Sequence, residues 1–199
     1  MKNTLALVSL ASLGLALFNS ALASVAAIAG AGPTPIFGTT AAAEADLAGT
    51  VVVDNLLPFR IFSPAGALLF EGTLQNRVVQ SSATGLMHFY YRIRDTKAGL
   101  NGIVKSVITR SYASSPRTMA DWRPDGLGAI DPFQVERSAG AGAQLRFDFD
   151  TSADPLVSGQ ESKFFYIKTG NKEYKNNGQT RIVLTSGDST VLRTLAPAP

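Results

Sequence analysis

The sequence predicts an all-β protein, an antiparallel β-sandwich of jelly-roll or Ig-like type with about nine to ten strands. From Thr50 onward, short runs rich in Val, Ile, Phe, Tyr and Thr alternate with clusters of Gly, Pro, Asn and Asp. Outside the N-terminal segment, no window has the apolar spacing of an amphipathic helix. The expected strands are Val51–Val53, Phe59–Phe62, Leu68–Gln80, Leu86–Arg94, Ile103–Tyr112, Ile130–Glu136, Gln144–Asp150, Ser162–Thr169, Thr180–Thr185 and Thr190–Leu195.

Two of these runs alternate clearly between apolar and polar residues. Successive side chains of a strand point to opposite faces of the sheet, so alternation predicts which face is buried. In the first run, Met87, Phe89, Tyr91 and Ile93 are predicted to be core, and the intervening residues are predicted to face water: His88, Tyr90, Arg92 and Arg94. In the second run, Leu145, Phe147 and Phe149 are predicted core, and the exposed set is Arg146, Asp148 and Asp150. The run 164–167 is apolar on both faces, which predicts a central or covered strand.

The N-terminus has the pattern of a secretory signal peptide. Lys2 is the positive n-region, residues 5–18 form an apolar h-region, and Ala21-Leu22-Ala23 is a small-x-small cleavage site that makes Ser24 the first mature residue. Ala27-Ile28-Ala29 is an alternative site of the same form. A membrane anchor is the competing interpretation, but the run is shorter than the ~20 apolar residues of a span. We expect no membrane span after cleavage.

The chain therefore divides into three parts. Residues 1–23 are the predicted signal peptide, residues 24–49 a flexible leader rich in Ala, Gly and Pro, and residues 50–199 a single β-sandwich domain. Export predicts a secreted, periplasmic or cell-envelope location. An exported chain without cysteine is more typical of bacteria than of eukaryotes, whose small secreted domains usually depend on disulfides.

Composition excludes several classes of function. The 199 residues include no cysteine, which rules out a disulfide framework, a cysteine-ligated metal and a thiol nucleophile. A net charge of +3 without a basic run gives no indication of a nucleic-acid partner. His88 is the only histidine, and no Gly-x-Ser-x-Gly motif accompanies it, so a packing or hydrogen-bonding residue is the simpler interpretation.

The stretch from Ser114 to Gly128 is predicted to be the longest irregular loop, and long loops on β scaffolds often bind ligands. It contains the only tryptophan, Trp122, the predicted anchor for a sugar ring. The other candidate contact residues are Tyr112, Asp121, Arg123 and Asp125. In the competing interpretation, Trp122 packs under the loop and closes one end of the sandwich.

A cluster of three aspartates is a candidate Ca²⁺ site. Asp148, Asp150 and Asp154 lie close together in the sequence, and calcium prefers several carboxylate and carbonyl oxygens. The spacing is not that of an EF-hand loop. A solvated strand face that runs into a turn at Asp154-Pro155 explains the same residues without a metal, so no cofactor is otherwise implied.

Two stretches, Thr84–Ile93 and Leu156–Thr169, followed by Tyr174 and Gly178, resemble the ectodomains of exported bacterial proteins of the PEP-CTERM-sorted type. The resemblance implies an extracellular β-sandwich without an assigned activity. The sequence has no Pro-Glu-Pro motif, apolar helix or basic tail after Thr194, so we expect a freely secreted or envelope-retained protein.

These observations predict a non-enzymatic exported module with a structural or interaction role in the bacterial envelope or extracellular matrix. The expected partners are polysaccharide or envelope and matrix proteins. A carbohydrate-binding module that uses Trp122 and Tyr112 is the alternative. A hydrolase is a third hypothesis, for which the sequence shows no evident nucleophile and base.

Overall fold

The computed structural model describes residues 25–28, 32–115, 118–139 and 143–199, and the predicted signal peptide lies outside them. Two antiparallel sheets pack against each other, which confirms the predicted all-β sandwich. The described residues form thirteen strands: β1 Ala26–Ala27, β2 Gly32–Pro35, β3 Gly49–Phe62, β4 Leu68–Ser81, β5 Met87–Arg94, β6 Ile103–Arg110, β7 Met119–Trp122, β8 Pro132–Arg137, β9 Gln144–Phe149, β10 Leu156–Val157, β11 Phe165–Lys168, β12 Tyr174–Leu184 and β13 Ser189–Pro197. This exceeds the expected number because several strands are too short to leave a periodic pattern.

The strands divide between two sheets of different order. Sheet A has the order β1-β7-β11-β5-β4-β3, and sheet B has the order β13-β12-β6-β9-β8-β2, with β10 paired to β6. Consecutive strands β3, β4 and β5 form a meander, and β12 and β13 form a hairpin. The N-terminal strands β1 and β2 each pair with the edge of a different sheet, β1 with β7 and β2 with β8.

The main hydrophobic core lies between the sheets and contains the residues that alternation predicted. Phe89, Tyr91 and Ile93 of β5 and Leu145 and Phe147 of β9 are all fully buried there. Aromatic rings meet across the sandwich, with 4.7 Å between the centroids of Phe147 and Phe165. Since a Phe side chain loses a large apolar surface to this core, each buried ring contributes roughly 1.5–3 kcal/mol of stability.

The prediction of a flexible leader is wrong for the described part of residues 24–49. Gly32–Pro35 is a strand, Ile36 is buried in the core, and Ala45–Leu47 forms a 3-10 turn. We call residues 37–48, which connect β2 to β3, the cover segment, because they lie over the outer face of sheet A. The segment is held less by apolar side chains than by polar contacts, which its Ala- and Gly-rich composition did not predict.

The cover segment also explains why one predicted exposed face is buried. His88, Tyr90 and Arg92 alternate with the core residues of β5 and do lie on the opposite face, yet all three are buried. A second apolar cluster forms on this face, where Leu47 of the cover segment packs with Tyr90, Phe164 and Tyr166. The predicted covered strand at 164–167 is confirmed, since β11 is buried throughout and pairs with β5 and β7.

The predicted irregular loop from Ser114 to Gly128 contains a strand. Met119–Trp122 forms β7, which pairs with β11 on one side and β1 on the other. Residues 116 and 117 of this stretch lie outside the described residues. Within this stretch, the residues that follow β7, 123–128, belong to no strand. This strand was not predicted because four residues are too few to show alternation.

Candidate functional site

A cleft of about 640 Å³ opens on the outer face of sheet A. The cover segment forms one wall, through Leu47 and Ala48, and the turn after β7 forms the other, through Asp125 and Leu127. We call this opening the sheet A cleft. Its volume lies within the usual range of ligand pockets, about 300–1,000 Å³.

Neighbouring positions of β4 and β5, with one residue before β11, form the floor of the cleft. Gln75 pairs with Arg92 and Arg77 pairs with Tyr90 across the two strands, so their side chains lie in adjacent rows on the same face. Phe164 immediately precedes β11 and contacts Tyr90 edge to face, with 6.4 Å between the ring centroids. The floor is therefore built on paired strands rather than on loops, which holds its side chains rigidly.

Four arginines line the cleft, together with a single acidic residue, Asp125. The arginines are Arg77, Arg92, Arg94 and Arg123. Asp125 pairs with Arg123 through two contacts of 2.7 and 2.8 Å. The other three arginines pair with acidic residues just outside the lining, Arg77 with Asp54, Arg92 with Glu161 and Arg94 with Asp95.

The arginines also cover the aromatic floor. The guanidinium carbons of Arg77 and Arg92 lie 4.9 and 5.6 Å from the centroid of the Phe164 ring. Arg92 is itself paired with Glu161, and Arg77 with Asp54 at 2.6 Å. A guanidinium over an aromatic face is attractive and fixes the side chain. The cleft therefore presents positive charge rather than a bare aromatic platform.

Two buried polar atoms on the cleft floor, the Gln75 Oε1 and the Arg92 Nε, have no hydrogen-bond partner among the residues that the structure describes. The Tyr90 hydroxyl interacts with Arg123, which can only donate, so the proton of that hydroxyl is the part without a partner. Gln75, Tyr90 and Arg92 are 4%, 4% and 5% exposed. A buried polar group without a partner costs roughly 1–3 kcal/mol, which makes the cleft a candidate binding site. Burial raises the pKa of Tyr90, against the opposing positive charge of Arg123.

A buried polar cluster fastens the cover segment to sheet A beside the cleft. Asp46 accepts hydrogen bonds from Ser81, at 2.5 Å, and from Thr84, at 2.7 Å. Its other carboxylate oxygen lies 3.0 Å from the Lys168 Nζ and 3.2 Å from the His88 Nε2. Lys168 also contacts Glu44 at 3.0 Å. One wall of the cleft is thus held by charges from β5, β11 and the cover segment.

The protonation states of this cluster follow from its geometry. Burial alone would raise the pKa of Asp46, but hydrogen bonds from Ser81, Thr84 and Lys168 outweigh it and hold that pKa well below its ordinary value. Burial lowers the pKa of His88, and the nearby Asp46 carboxylate only partly opposes this. A charged Asp46 beside a neutral His88 is therefore the state expected near neutral pH.

The structure separates the residues that the sequence grouped around Trp122. Tyr112 is fully buried between the sheets, where its hydroxyl lies 2.8 Å from that of Tyr91, so the prediction that it contacts a ligand is wrong. Trp122 packs against the main core, with the Lys163 Nζ at 4.2 Å from its ring centroid. This position matches the competing interpretation, in which Trp122 closes one part of the sandwich.

The neighbours of Trp122 have different positions. Asp121 is buried on the opposite face of β7, where it accepts hydrogen bonds from the Gly38 backbone at 2.8 Å and the Thr39 hydroxyl at 2.7 Å. Burial raises the pKa of Asp121, although these bonds oppose the rise. Asp121 therefore anchors the cover segment rather than a ligand. Of the predicted group, only Arg123 and Asp125 line the cleft.

Two of the three acidic residues predicted to hold calcium, Asp148 and Asp150, are engaged with other groups. Asp148 is buried and accepts a hydrogen bond from Gln134 at 2.9 Å, besides its ion pair with Arg146. Asp150 caps a turn by accepting bonds from Ser152 and Ala153. Among the described residues, no three acidic or histidine side chains are arranged to hold a metal ion, so the structure does not assemble the predicted site from Asp148, Asp150 and Asp154.

A second groove, of about 580 Å³, crosses the outer face of sheet B. It is lined by Phe133, Arg146 and Arg181 among others. Arg146 pairs with Glu136 and Asp148, and Arg181 donates to Ser189 at 3.0 Å. None of the buried polar atoms that lack partners in the described part of the chain belongs to this groove. The sheet A cleft is therefore the stronger candidate.

Comparison of the chain with protein-family models, with curated proteins and with solved structures finds no match. Across the residues that the structure describes, no helix has the length and apolar character needed to cross a membrane. The geometry of the sheet A cleft is accordingly the main basis for a functional hypothesis.

Proposed function

We propose that this chain is an exported, non-enzymatic β-sandwich that acts as an interaction module in the bacterial envelope or extracellular matrix. The observation that supports an interaction role is the group of buried donors and acceptors left over on the floor of the sheet A cleft: the Gln75 Oε1, the Arg92 Nε and the hydroxyl proton of Tyr90. The sequence supports export, through the Lys2, Leu-rich and Ala-x-Ala pattern at the N-terminus.

The surroundings of His88 support a non-enzymatic role. A hydrolase of the Ser-His-Asp type needs the serine hydroxyl next to the imidazole, with the carboxylate on its far side. Here the Ser81 hydroxyl donates to Asp46 instead of facing His88. The imidazole is fully buried beside Lys168 and Asp46, where substrate has no access.

Carbohydrate binding, the alternative function, now depends on different residues. Trp122 and Tyr112 pack within the sandwich, and the sheet A cleft takes their place as the candidate contact surface. Its mixture of arginines, an amide and a hydroxyl suits a ligand rich in oxygen atoms.

The experiment is a co-sedimentation assay with the mature protein and washed envelope or extracellular-matrix material. Ala48→Trp places a large ring on the exposed wall of the cleft, and Ala42→Trp places the same ring on an exposed part of the cover segment that does not line the cleft. We expect the wild-type protein and Ala42→Trp to sediment and Ala48→Trp to remain in solution. Sedimentation of all three would place the contact elsewhere, and sedimentation of none would contradict an interaction role.

A further inference from the structure

We propose that the sheet A cleft binds the carboxylate-bearing sugar units of an acidic polysaccharide, of the uronic acid class. This deepens the proposed function and rests on the cleft being its binding site. Three properties of the lining carry the inference: its charge, its unpartnered donors and acceptor, and the covered state of its aromatic rings.

The guanidinium groups of the lining suit an anionic ligand. Four arginines line the cleft, and each is paired with one carboxylate of the protein. Arginine binds carboxylates through parallel hydrogen bonds from its planar fork, and it does so within this protein, where Arg123 holds both oxygens of Asp125. The acidic partners of Arg77 and Arg92 partly neutralise the site, which favours a singly charged carboxylate over a doubly charged phosphate.

The unpartnered atoms define the rest of the ligand. The Arg92 Nε and the Tyr90 hydroxyl can each donate a hydrogen bond, whereas the Gln75 Oε1 can only accept one. A ligand that satisfies all three must present acceptor oxygens and at least one donor close together. A uronic acid has this arrangement, because its ring carries a carboxylate and several hydroxyl groups.

The aromatic floor disfavours a neutral sugar. Neutral sugars are commonly held by exposed aromatic rings that stack on their C–H faces. In this cleft Tyr90 and Phe164 are buried, and two guanidinium groups lie over the Phe164 ring. The exposed apolar side chains of the lining are aliphatic, namely Val51 and Leu127. Recognition therefore depends on charge and hydrogen bonds.

The test is calorimetric titration of the mature protein with a defined oligogalacturonate. Tyr90→Phe removes one donor and keeps the ring, and Tyr166→Phe is the matched control. Tyr166 is also buried on this face, where its hydroxyl interacts with Thr39, but it does not line the cleft. We expect Tyr90→Phe to weaken binding about fivefold to tenfold, the effect of one lost hydrogen bond, and Tyr166→Phe to leave it unchanged. The unfolding midpoint of each variant is measured in parallel, because Tyr90 interacts with Arg123 and Tyr166 with Thr39, and this separates a loss of stability from a loss of binding.

Other probes separate the remaining ligand classes. A neutral oligosaccharide of the same length, inorganic phosphate and a short polyglutamate peptide should each bind at least tenfold more weakly than the oligogalacturonate. Equal binding of any of these, or equal effects of the two tyrosine variants, would overturn the assignment. If Ala48→Trp abolishes sedimentation with envelope material but the oligogalacturonate does not bind, the interaction role stands and only the ligand class is wrong.

Discussion

The backbone of Gly38 lies directly against the indole ring of Trp122. A Cβ atom placed on Gly38 would lie 2.7 Å from the Cζ2 atom of that ring, and the residue has a φ of +85°. We expect Gly38→Ala to lower the free energy of unfolding by about 2–4 kcal/mol, from backbone strain and the clash together. Gly66 is the matched control, because it has a similar φ of +82° with nothing within 4 Å. Gly66→Ala should cost only about 1–2 kcal/mol, the strain alone.

Chemical denaturation of the two glycine variants measures this difference. Equal losses in the free energy of unfolding would show that the close contact between Gly38 and Trp122 adds nothing to the cost of the Gly38→Ala substitution.

The His88 cluster predicts a loss of stability in mild acid. The folded pKa of His88 is lowered from its ordinary value of 6.5, so the unfolded chain binds the proton more readily. Stability is therefore complete above about pH 6.5 and decreases as the pH falls below it, by at most about 1.4 kcal/mol per pH unit for one proton. Lys168 disfavours a charged His88, whereas Asp46 favours it, and Glu44 contacts the same lysine.

Urea unfolding at about pH 7.5 and pH 5.5 tests this prediction. His88→Asn removes the proton uptake, so the difference between the two pH values should shrink in that variant. The same difference in both proteins would assign the acid sensitivity to other groups. The lowered pKa of Asp46 adds its own loss of stability only at still lower pH, since its ordinary value is 3.8.

The alternation in β9 predicts unequal effects at neighbouring positions. Phe147 is fully buried among core rings, so Phe147→Ala should cost about 3–5 kcal/mol. Arg146 is exposed and pairs with Glu136 at 2.6 Å and with Asp148 at 3.0 Å. Arg146→Ala should cost at most about 1 kcal/mol, as surface ion pairs do. Thermal or chemical unfolding measures the stability of the two variants. Similar losses of stability would contradict the assignment of Phe147 to the buried face of β9 and Arg146 to the exposed face.

The hydroxyl pair between the sheets predicts a smaller effect. Tyr91 and Tyr112 share a hydrogen bond of 2.8 Å, and Tyr91 is also 3.0 Å from the Thr109 hydroxyl. Tyr112→Phe should lower the free energy of unfolding by about 1 kcal/mol, because one buried bond is lost while Tyr91 keeps Thr109 as a partner. Tyr174→Phe, at an exposed position, should have no measurable effect. If Tyr112→Phe leaves the free energy of unfolding unchanged, the hydrogen bond makes no net contribution to stability.

The position of β1 distinguishes the two predicted cleavage sites. Val25 and Ile28 are both 3% exposed, and β1 pairs with β7. Cleavage after Ala23 retains these residues, whereas cleavage after Ala29 removes them. A protein that starts at residue 30 should be less stable than one that starts at Ser24 by about 3 kcal/mol or more, the value of two buried aliphatic side chains. Mass spectrometry of the processed protein should find Ser24 as its first residue.

The inner face of the sandwich was predictable because its signal is local. Phe89 and Phe147 alternate with polar residues within single strands, and that period directly determines which side packs. The strands β1, β2 and β7 were missed because two to four residues cannot establish a period. The same limit made the stretch around Trp122 resemble a loop.

The cleft was not predictable by the same means. Tyr90 and Arg92 occupy polar positions of an alternating strand, and their burial depends on a cover segment that is distant in sequence and poor in large apolar residues. Asp46 and Asp121 attach that segment through hydrogen bonds, which leave no hydrophobic pattern. The one available signal was Phe164, in a run that is apolar on both faces and therefore implies a covering layer.

The attachment of the cover segment also bears on the order in which an exported chain matures. The hydrogen bond from Gly38 to Asp121 joins residues 83 positions apart, and β1 and β2 pair with residues that are still further from them in sequence. A chain that emerges N-terminus first exposes the cover segment long before β5, β7 and β11 arrive to receive it. Contacts between such distant residues form slowly. The cleft can be completed only after β11 has been synthesised. If the chain is exported as proposed, a partly translocated chain would therefore display no finished cleft.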